Sequence, residues 1–249
     1  MIKKYSSKFY SSVDQRANNS ATSILAIFSK LFPLSGIERA MDVGCGSGAW
    51  LNELLEKSNA KVTGFDLPES IEINRKRLGA HTGKRLSLQI IDFEKASSLP
   101  NLDSDLGICL EVLEHLSPVT GIRIVDWLSQ NCNLVIFSAA TPGQGGTGHI
   151  NEQPHSFWLE KFEHNGFMIF DCFRPTLQSD KNCARYYSLN AFLLVKKGSS
   201  FASKIKLQPI NLNLSDPIDY RTRLEKIQFA ILKTLNYRLV TLLSKIASR

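Results

Sequence analysis

Asp42-Val-Gly-Cys-Gly-Ser-Gly48 is the stretch on which the fold turns. It follows the short apolar run Arg39-Ala-Met-Asp-Val43. It precedes Ala49–Ser58, where Trp50, Leu51, Leu54 and Leu55 fall on one helical face. Strand, glycine turn and helix in that order mark the ligand-binding end of an α/β sheet. Glycine accepts positive φ and lets backbone approach a ligand closely. The spacing here is Gly-x-Gly-x-Gly, which departs from the Gly-x-Gly-x-x-Gly of dinucleotide sites. Asp42, two residues before the first glycine, suits a cationic amine rather than a pyrophosphate. Taken alone, the glycines would be explained by a tight turn.

On either side of this stretch, strands and helices alternate. Lys61–Asp66, Leu86–Asp92, Leu106–Leu110 and Leu134–Ser138 read as strands two to five. Helices are expected at Pro68–Leu78 and Thr120–Asn131, and before the first strand over residues 13–32, stopped by Pro33. A glycine-rich loop follows strand five. A helix over Ser156–Asn165 then ends at Gly166, and Phe167–Phe173 and Ala191–Lys196 read as closing strands. This pattern predicts an α/β fold: a Rossmann-like, doubly wound, seven-stranded, mostly parallel sheet. Right-handed crossovers bring the ends of the first three strands to one crevice. Those ends carry Asp42, Asp66 and Asp92. Asp66 is placed to accept from ribose hydroxyls, and Asp92 from an adenine amino group, with Phe93 packing on the ring. Three acids at three consecutive strand ends are more than a turn requires.

The chain has 249 residues and a formal charge of +7. Much of the excess lies after residue 195, which argues against a nucleic-acid groove across the main domain. Five scattered cysteines form no Cys-x-x-Cys pair and suggest neither a disulfide framework nor a zinc site. The basic start runs into Ser, Asp, Gln and Asn instead of an apolar region, so a signal peptide is not expected. A cytoplasmic protein is the expectation.

These residues resemble the class I methyltransferases that depend on S-adenosylmethionine (SAM). Ile108-Cys-Leu-Glu-Val-Leu-Glu-His-Leu116 is similar to the motif after strand four in ubiquinone-biosynthesis-type O-methyltransferases. Phe137–Gln153, with its Pro142-Gly-Gln-Gly-Gly-Thr-Gly-His-Ile-Asn-Glu-Gln153 loop, resembles a narrower bacterial subfamily, as does Tyr186-Tyr-Ser-Leu-Asn190. The subfamily tends to have Arg-Gln where this chain has Ser188 and Leu189. The resemblance covers roughly residues 8–196. It implies that Gly44, Cys45, Gly46 and Gly48 wall the methionine part of SAM and that Asp42 faces its amino end. It further implies that Asp66 and Leu67 meet the ribose, that Asp92 and Phe93 meet the adenine, and that Glu111 lies near the sulfonium.

Methyl transfer to a hydroxyl needs alignment and a base. Histidine is the usual base near neutral pH. His149 is the first candidate and His115 the second, with Glu152 orienting the base. Packing or a backbone bond would also explain either histidine. Tyr10, Gln144, Asn151, Gln153 and Tyr187 are candidates for holding the acceptor, a small molecule or glycan. His149 with Glu152 or Glu114 could supply ligands to magnesium, but magnesium prefers several oxygens and no carboxylate cluster appears in the loop, so no metal site is assigned. N- or carboxyl-methylation and non-catalytic SAM binding are the alternatives. Glycines 143, 145, 146 and 148 predict a mobile loop that closes over the acceptor. His81, His155 and His164 read as surface residues.

Residues 1–198 are therefore expected to form the methyltransferase domain, with 1–35 as a helical lid that includes Phe9, Tyr10 and Arg16. Residues 199–249 read as a basic linker and an amphipathic helix. Tyr220, Leu224, Ile227, Ile231, Leu235, Leu239, Leu242 and Ile246 form its stripe, and Lys and Arg outnumber Asp and Glu by seven to two after residue 218. Such a helix packs on a partner or on the domain, or lies on an anionic membrane.

Overall fold

The computed structural model describes residues 7–212 and 217–234, with side chains from residue 15 on. Seven strands form one sheet in the order β3-β2-β1-β4-β5-β7-β6. They are β1 (Arg39–Val43), β2 (Lys61–Asp66), β3 (Leu86–Ile90), β4 (Ser104–Leu110), β5 (Cys132–Ser138), β6 (Phe167–Phe170) and β7 (Phe192–Lys196). The first five run parallel. β7 is antiparallel to both β5 and β6. The strand order reverses between β1 and β4, the place where open α/β sheets form a ligand crevice. Asp42 is in register with Gly64 on one side and Ile108 on the other, so the ends of β1, β2 and β4 meet at one edge.

Alternation along the strands feeds two apolar layers. Ala40, Val62, Ile108 and Ile136 face α1 (Ser7–Leu31) and α2 (Ala49–Lys57) through Ile24, Phe28, Leu51 and Leu54. Met41, Phe65, Cys109 and Val135 face the other layer. There α4 (Pro118–Asn131) and α5 (His155–His164) contribute Ile124, Leu128, Trp158 and Phe162. α3 (Pro68–Leu78) packs beside β2 and β3. Two short helices, α6 (Arg174–Leu177) and α7 (Arg185–Asn190), precede β7. Sequence periodicity missed both, because four and six residues are too few to show a period.

After β7 the chain runs along the sheet edge, where the Ile210 N–H donates to the Ile169 carbonyl at 2.8 Å. The basic tail enters the described structure as α8 (Arg223–Thr234). Its docking face differs from the expected stripe. Phe229 is buried, whereas Leu224, Ile227 and Ile231 are exposed. Arg185 explains the choice of face: its guanidinium binds Glu225 at 2.7 and 2.9 Å and the Tyr220 carbonyl at 2.9 Å. Leu235, Leu239, Leu242 and Ile246 lie outside the described residues. No described helix is long and apolar enough to cross a membrane.

Candidate active site

The glycine loop wraps the end of β2. The N–H groups of Gly44 and Cys45 both donate to the Phe65 carbonyl, at 2.9 and 3.1 Å. Gly44 and Gly48 have positive φ, 71° and 84°. A Cβ on Gly44 would sit 2.5 Å from Val112 Cγ2, and one on Gly48 would sit 1.8 Å from Asn74 Oδ1. At Gly46 a Cβ would meet nothing nearer than 3.9 Å, so open space lies there. Two residues of α3 hold the loop from behind. Asn74 is fully buried and donates from Nδ2 to the carbonyls of Gly46 and Ser70, each at 2.9 Å. Arg77 donates to the Ser47 carbonyl at 2.8 Å. Sequence reading passed over both, since a polar residue on a polar helix carries no signal of its own.

Asp42 is 2% exposed, and its Oδ2 has no hydrogen-bond partner. Burial, and then the charge of Asp66, push its pKa well up. Asp66 accepts from the Gly46 and Leu67 N–H groups, both at 2.7 Å. Burial still raises its pKa against those bonds. Leu67 and Ile90 present exposed apolar surface at this edge. Asp92 binds Lys95 Nζ at 2.6 Å, and that bond lowers its pKa. Phe93 corrects an expectation. It is 6% exposed and packs on Trp127 with ring centroids 6.3 Å apart, so its ring belongs to the core and is not offered to a ligand.

Glu111 follows β4 in a left-handed conformation, φ 55°, the one non-glycine with positive φ among the described residues. Such a conformation is costly and gathers at functional sites. Its two oxygens accept from Gln144 Nε2 at 2.8 Å and Asn190 Nδ2 at 3.2 Å, and Asn190 Nδ2 also reaches Gln144 Oε1 at 2.8 Å. Tyr187 is buried edge-on to Trp50. Burial, then the neighbouring Tyr186 and the charge of Glu111, push its pKa well up. The side chain of Tyr10 lies outside the described residues.

His149 and His115 meet edge to face, centroids 4.8 Å apart. His149 Nδ1 lies 2.8 Å from Glu152 Oε1. The same carboxylate accepts from the N–H groups of Gly143 (2.8 Å) and Gly145 (2.7 Å). Gly143, Gly145 and Gly148 have positive φ, and a Cβ on Gly146 would sit 2.2 Å from His149 Nε2, so these glycines serve backbone shape and close packing. Asn151 is also corrected. It is 3% exposed, donates to the Leu113 carbonyl and accepts from Gln153, so its side chain is engaged within the loop. His155 is half-buried where an exposed ring was expected. Its Nε2 lies 3.1 Å from Asn190 Oδ1, and burial lowers its pKa to about 4. His115 is likewise lowered to about 4, by burial and then by His149, which weakens it as a base at neutral pH.

Glu114 is fully buried, and neither of its oxygens makes a hydrogen bond. Burial, then the charge of Glu111, push its pKa well up; the amides of Glu114 and Ala140 lie close enough to act in the opposite sense but outside hydrogen-bond geometry. The ligand atoms of Glu114, His115 and His149 all lie within 4.8 Å of one another. Two imidazoles and a carboxylate suit a transition cation better than magnesium. The cluster joins the turn after β4 to the loop after β5; sequence reading brings His149 and Glu114 together, and His115 is the ligand that the structure adds.

Residues 40–128 match the family model described as a methyltransferase domain. These residues, about a third of the chain, belong to a methyltransferase domain. The ubiquinone biosynthesis O-methyltransferase of Idiomarina loihiensis is 35% identical over 80 residues, 32% of this chain and 32% of that protein. The chain thus spans about a third of the length of this curated relative. An O-methyltransferase family protein from Burkholderia thailandensis superposes with a TM-score of 0.57 at 11% identity, over 79% of this chain and 61% of that one. The magnesium protoporphyrin IX methyltransferase of Synechocystis PCC 6803, solved with bound S-adenosylhomocysteine (SAH), gives 0.55 at 19% identity, over 78% and 90%. At these identities the structures share the fold. The methyltransferase domain's own residues fit SAM. The unpartnered, buried Asp42 oxygen calls for a cation, Gly46 borders open space, and Leu67 and Ile90 offer apolar surface beside it.

Proposed function

We propose that the chain methylates a hydroxyl of a small molecule or glycan, with His149 taking the hydroxyl proton. The observation that carries this reading is the Glu152–His149 pair, locked by two glycine N–H groups at the end of β5. When bound, SAM supplies a methyl carbon made electrophilic by the sulfonium. Asp42 would hold the amino end, Asp66 and Leu67 the ribose, and Asp92 the adenine. Glu111 would face the sulfonium with its negative charge. Glu152 fixes the tautomer: Nδ1–H donates to the carboxylate, and Nε2 is left to accept the proton. The Glu152 charge then stabilises the imidazolium. Methylation of an amine or a carboxylate needs no such base, so the dyad favours a hydroxyl.

A second reading of the same cluster is favoured by the unpartnered oxygens of Glu114. Glu114, His115 and His149 would hold a divalent cation, and its charge would lower the pKa of a hydroxyl beside it. Glu152 would then support His149 as a ligand. Isothermal titration with SAM tests the cofactor, and a tritiated-methyl assay over candidate acceptors tests transfer. His149→Ala removes turnover under both readings, and unchanged turnover would sink both. Glu114→Gln separates them: the base reading keeps most turnover, while the cation reading loses it together with the rise in Tm that added zinc or manganese produces.

A further inference from the structure

A cavity of about 560 Å³ opens beside the Glu111 network, between the loop after β5 and the docked tail. Its floor is His155 and Asn190. Pro142, Tyr220 and Phe229 supply apolar wall, and Arg221, Lys226 and Lys233 line its outer side. The charges there do not balance. Arg174, also at the wall, is fully buried and neutralised by Asp171 through two bonds, 2.9 and 2.6 Å. Asp219 is one carboxylate shared by two cations, Arg221 at 2.8 Å and Lys226 at 3.5 Å. Lys233 has no ion pair among the described residues. Three cations against one acid leave the rim about two charges positive.

The floor is polar but oriented. Asn190 Nδ2 is committed as a donor to Glu111 and Gln144, so its Oδ1 must accept, and His155 Nε2–H donates to it. Asn190 is thus a shared wall, with Glu111 on one side and the cavity on the other.

We infer that this cavity binds the methyl acceptor, and that the acceptor is an organic anion whose carboxylate or phosphate is held by Lys226, Lys233 and Arg221. The inference rests on the methyl-transfer reading above. The apolar wall takes the carbon body, and the anionic group stays at the rim. The tail helix, which lies outside the stretch that matches the methyltransferase family model, is then part of acceptor recognition.

The test uses the full chain saturated with SAH and three probes: 4-hydroxybenzoate, 4-hydroxyphenyl phosphate and the neutral 4-hydroxybenzyl alcohol. Titration at low salt should show at least one anion binding tenfold or more tightly than the alcohol. That preference should shrink as salt rises. The tighter anion tells carboxylate from phosphate. Lys226→Glu with Lys233→Glu should weaken the anion tenfold or more and leave SAH and the alcohol unchanged. Equal binding of anion and alcohol, no binding of either anion at millimolar concentration, or an unaffected double variant would each overturn the inference. Failure of SAH to bind the wild-type chain would instead strike the methyl-transfer reading.

Discussion

Gly48→Ala separates packing from cofactor binding more sharply than any other change in the glycine loop. Gly48 sits at φ 84° and ψ 21°, and an alanine there costs about 1–2 kcal/mol in backbone strain. The new methyl would also land 1.8 Å from Asn74 Oδ1 and 2.9 Å from its Cγ. Asn74 must swing away and give up its bonds to the Gly46 and Ser70 carbonyls. The site is fully buried, so water does not replace them, and each loss costs about 1 kcal/mol. The expected destabilisation is about 3–4 kcal/mol in urea unfolding. Asn74→Ala alone should cost about 2 kcal/mol. The double variant should cost less than the sum of the singles, because removing Asn74 removes the clash. Gly46→Ala is the contrast: its methyl meets open space, so stability should fall by about 1–2 kcal/mol from strain alone. SAM affinity should fall more than that strain accounts for. Additive costs for Gly48→Ala and Asn74→Ala, or unchanged SAM binding in Gly46→Ala, would refute this reasoning.

Two further outcomes follow from the tail side of the site. His155 titrates near 4 in the fold and near 6.5 in the unfolded chain, so the unfolded state takes the proton first. Stability is full above pH 6.5 and is lost as pH falls towards 4. Between pH 7 and pH 5 this group accounts for about 2 kcal/mol, and His155→Gln should flatten the urea-unfolding profile by that amount; an unchanged slope would count against the buried, neutral ring. Gly143→Ala would place a methyl 2.1 Å from the Phe229 carbonyl oxygen, at φ 89°. Backbone cannot yield there, so α8 should undock, and amide exchange over residues 223–234 should speed at least tenfold. Unaltered protection of those amides would show that the contact is not needed for docking.

The sheet was legible because its signals are local. Apolar runs at Arg39–Val43, Lys61–Asp66 and Leu134–Ser138, punctuated by glycines and acids, announce strands and their ends without any tertiary knowledge. The strand-end acids were legible for the same reason, since chain order fixes which edge they share. Side-chain direction was not. Phe93 adjoins Asp92 in sequence but points into the core at Trp127, an outcome set by packing. Asn151 looked like a ligand-binding residue of a polar loop, yet the nearby Leu113 carbonyl claims it. His155 looked exposed on an amphipathic helix, and only the return of α7 through Asn190 buries it. Chain order put Glu114 and His149 at the same sheet edge, but that His115 joins them within 4.8 Å is an outcome of packing. The tail failed for a related reason: hydrophobic periodicity marks a stripe, but the Arg185–Glu225 pair decided which face docks.

The charges of the two halves of the site also order the reaction. Asp42, Glu111 and Glu114 gather at the ends of β1 and β4, and two of these carboxyls are buried without full partners. Like charges so placed disfavour one another's ionisation, and a cation entering among them relieves that cost. The inner site therefore selects cations, which suits the ammonium and sulfonium of SAM and, under the second reading, a metal ion. The rim at Arg221, Lys226 and Lys233 selects the opposite sign. An acceptor with an anionic group cannot turn that group inward towards Glu111 without meeting the acids, nor leave the rim without losing its cations. It is thereby aligned with its uncharged end towards Asn190, which binds Glu111. Alignment of this kind lowers the barrier through orientation alone, and on the acceptor reading proposed above it falls to a tail outside the residues that match the methyltransferase family model.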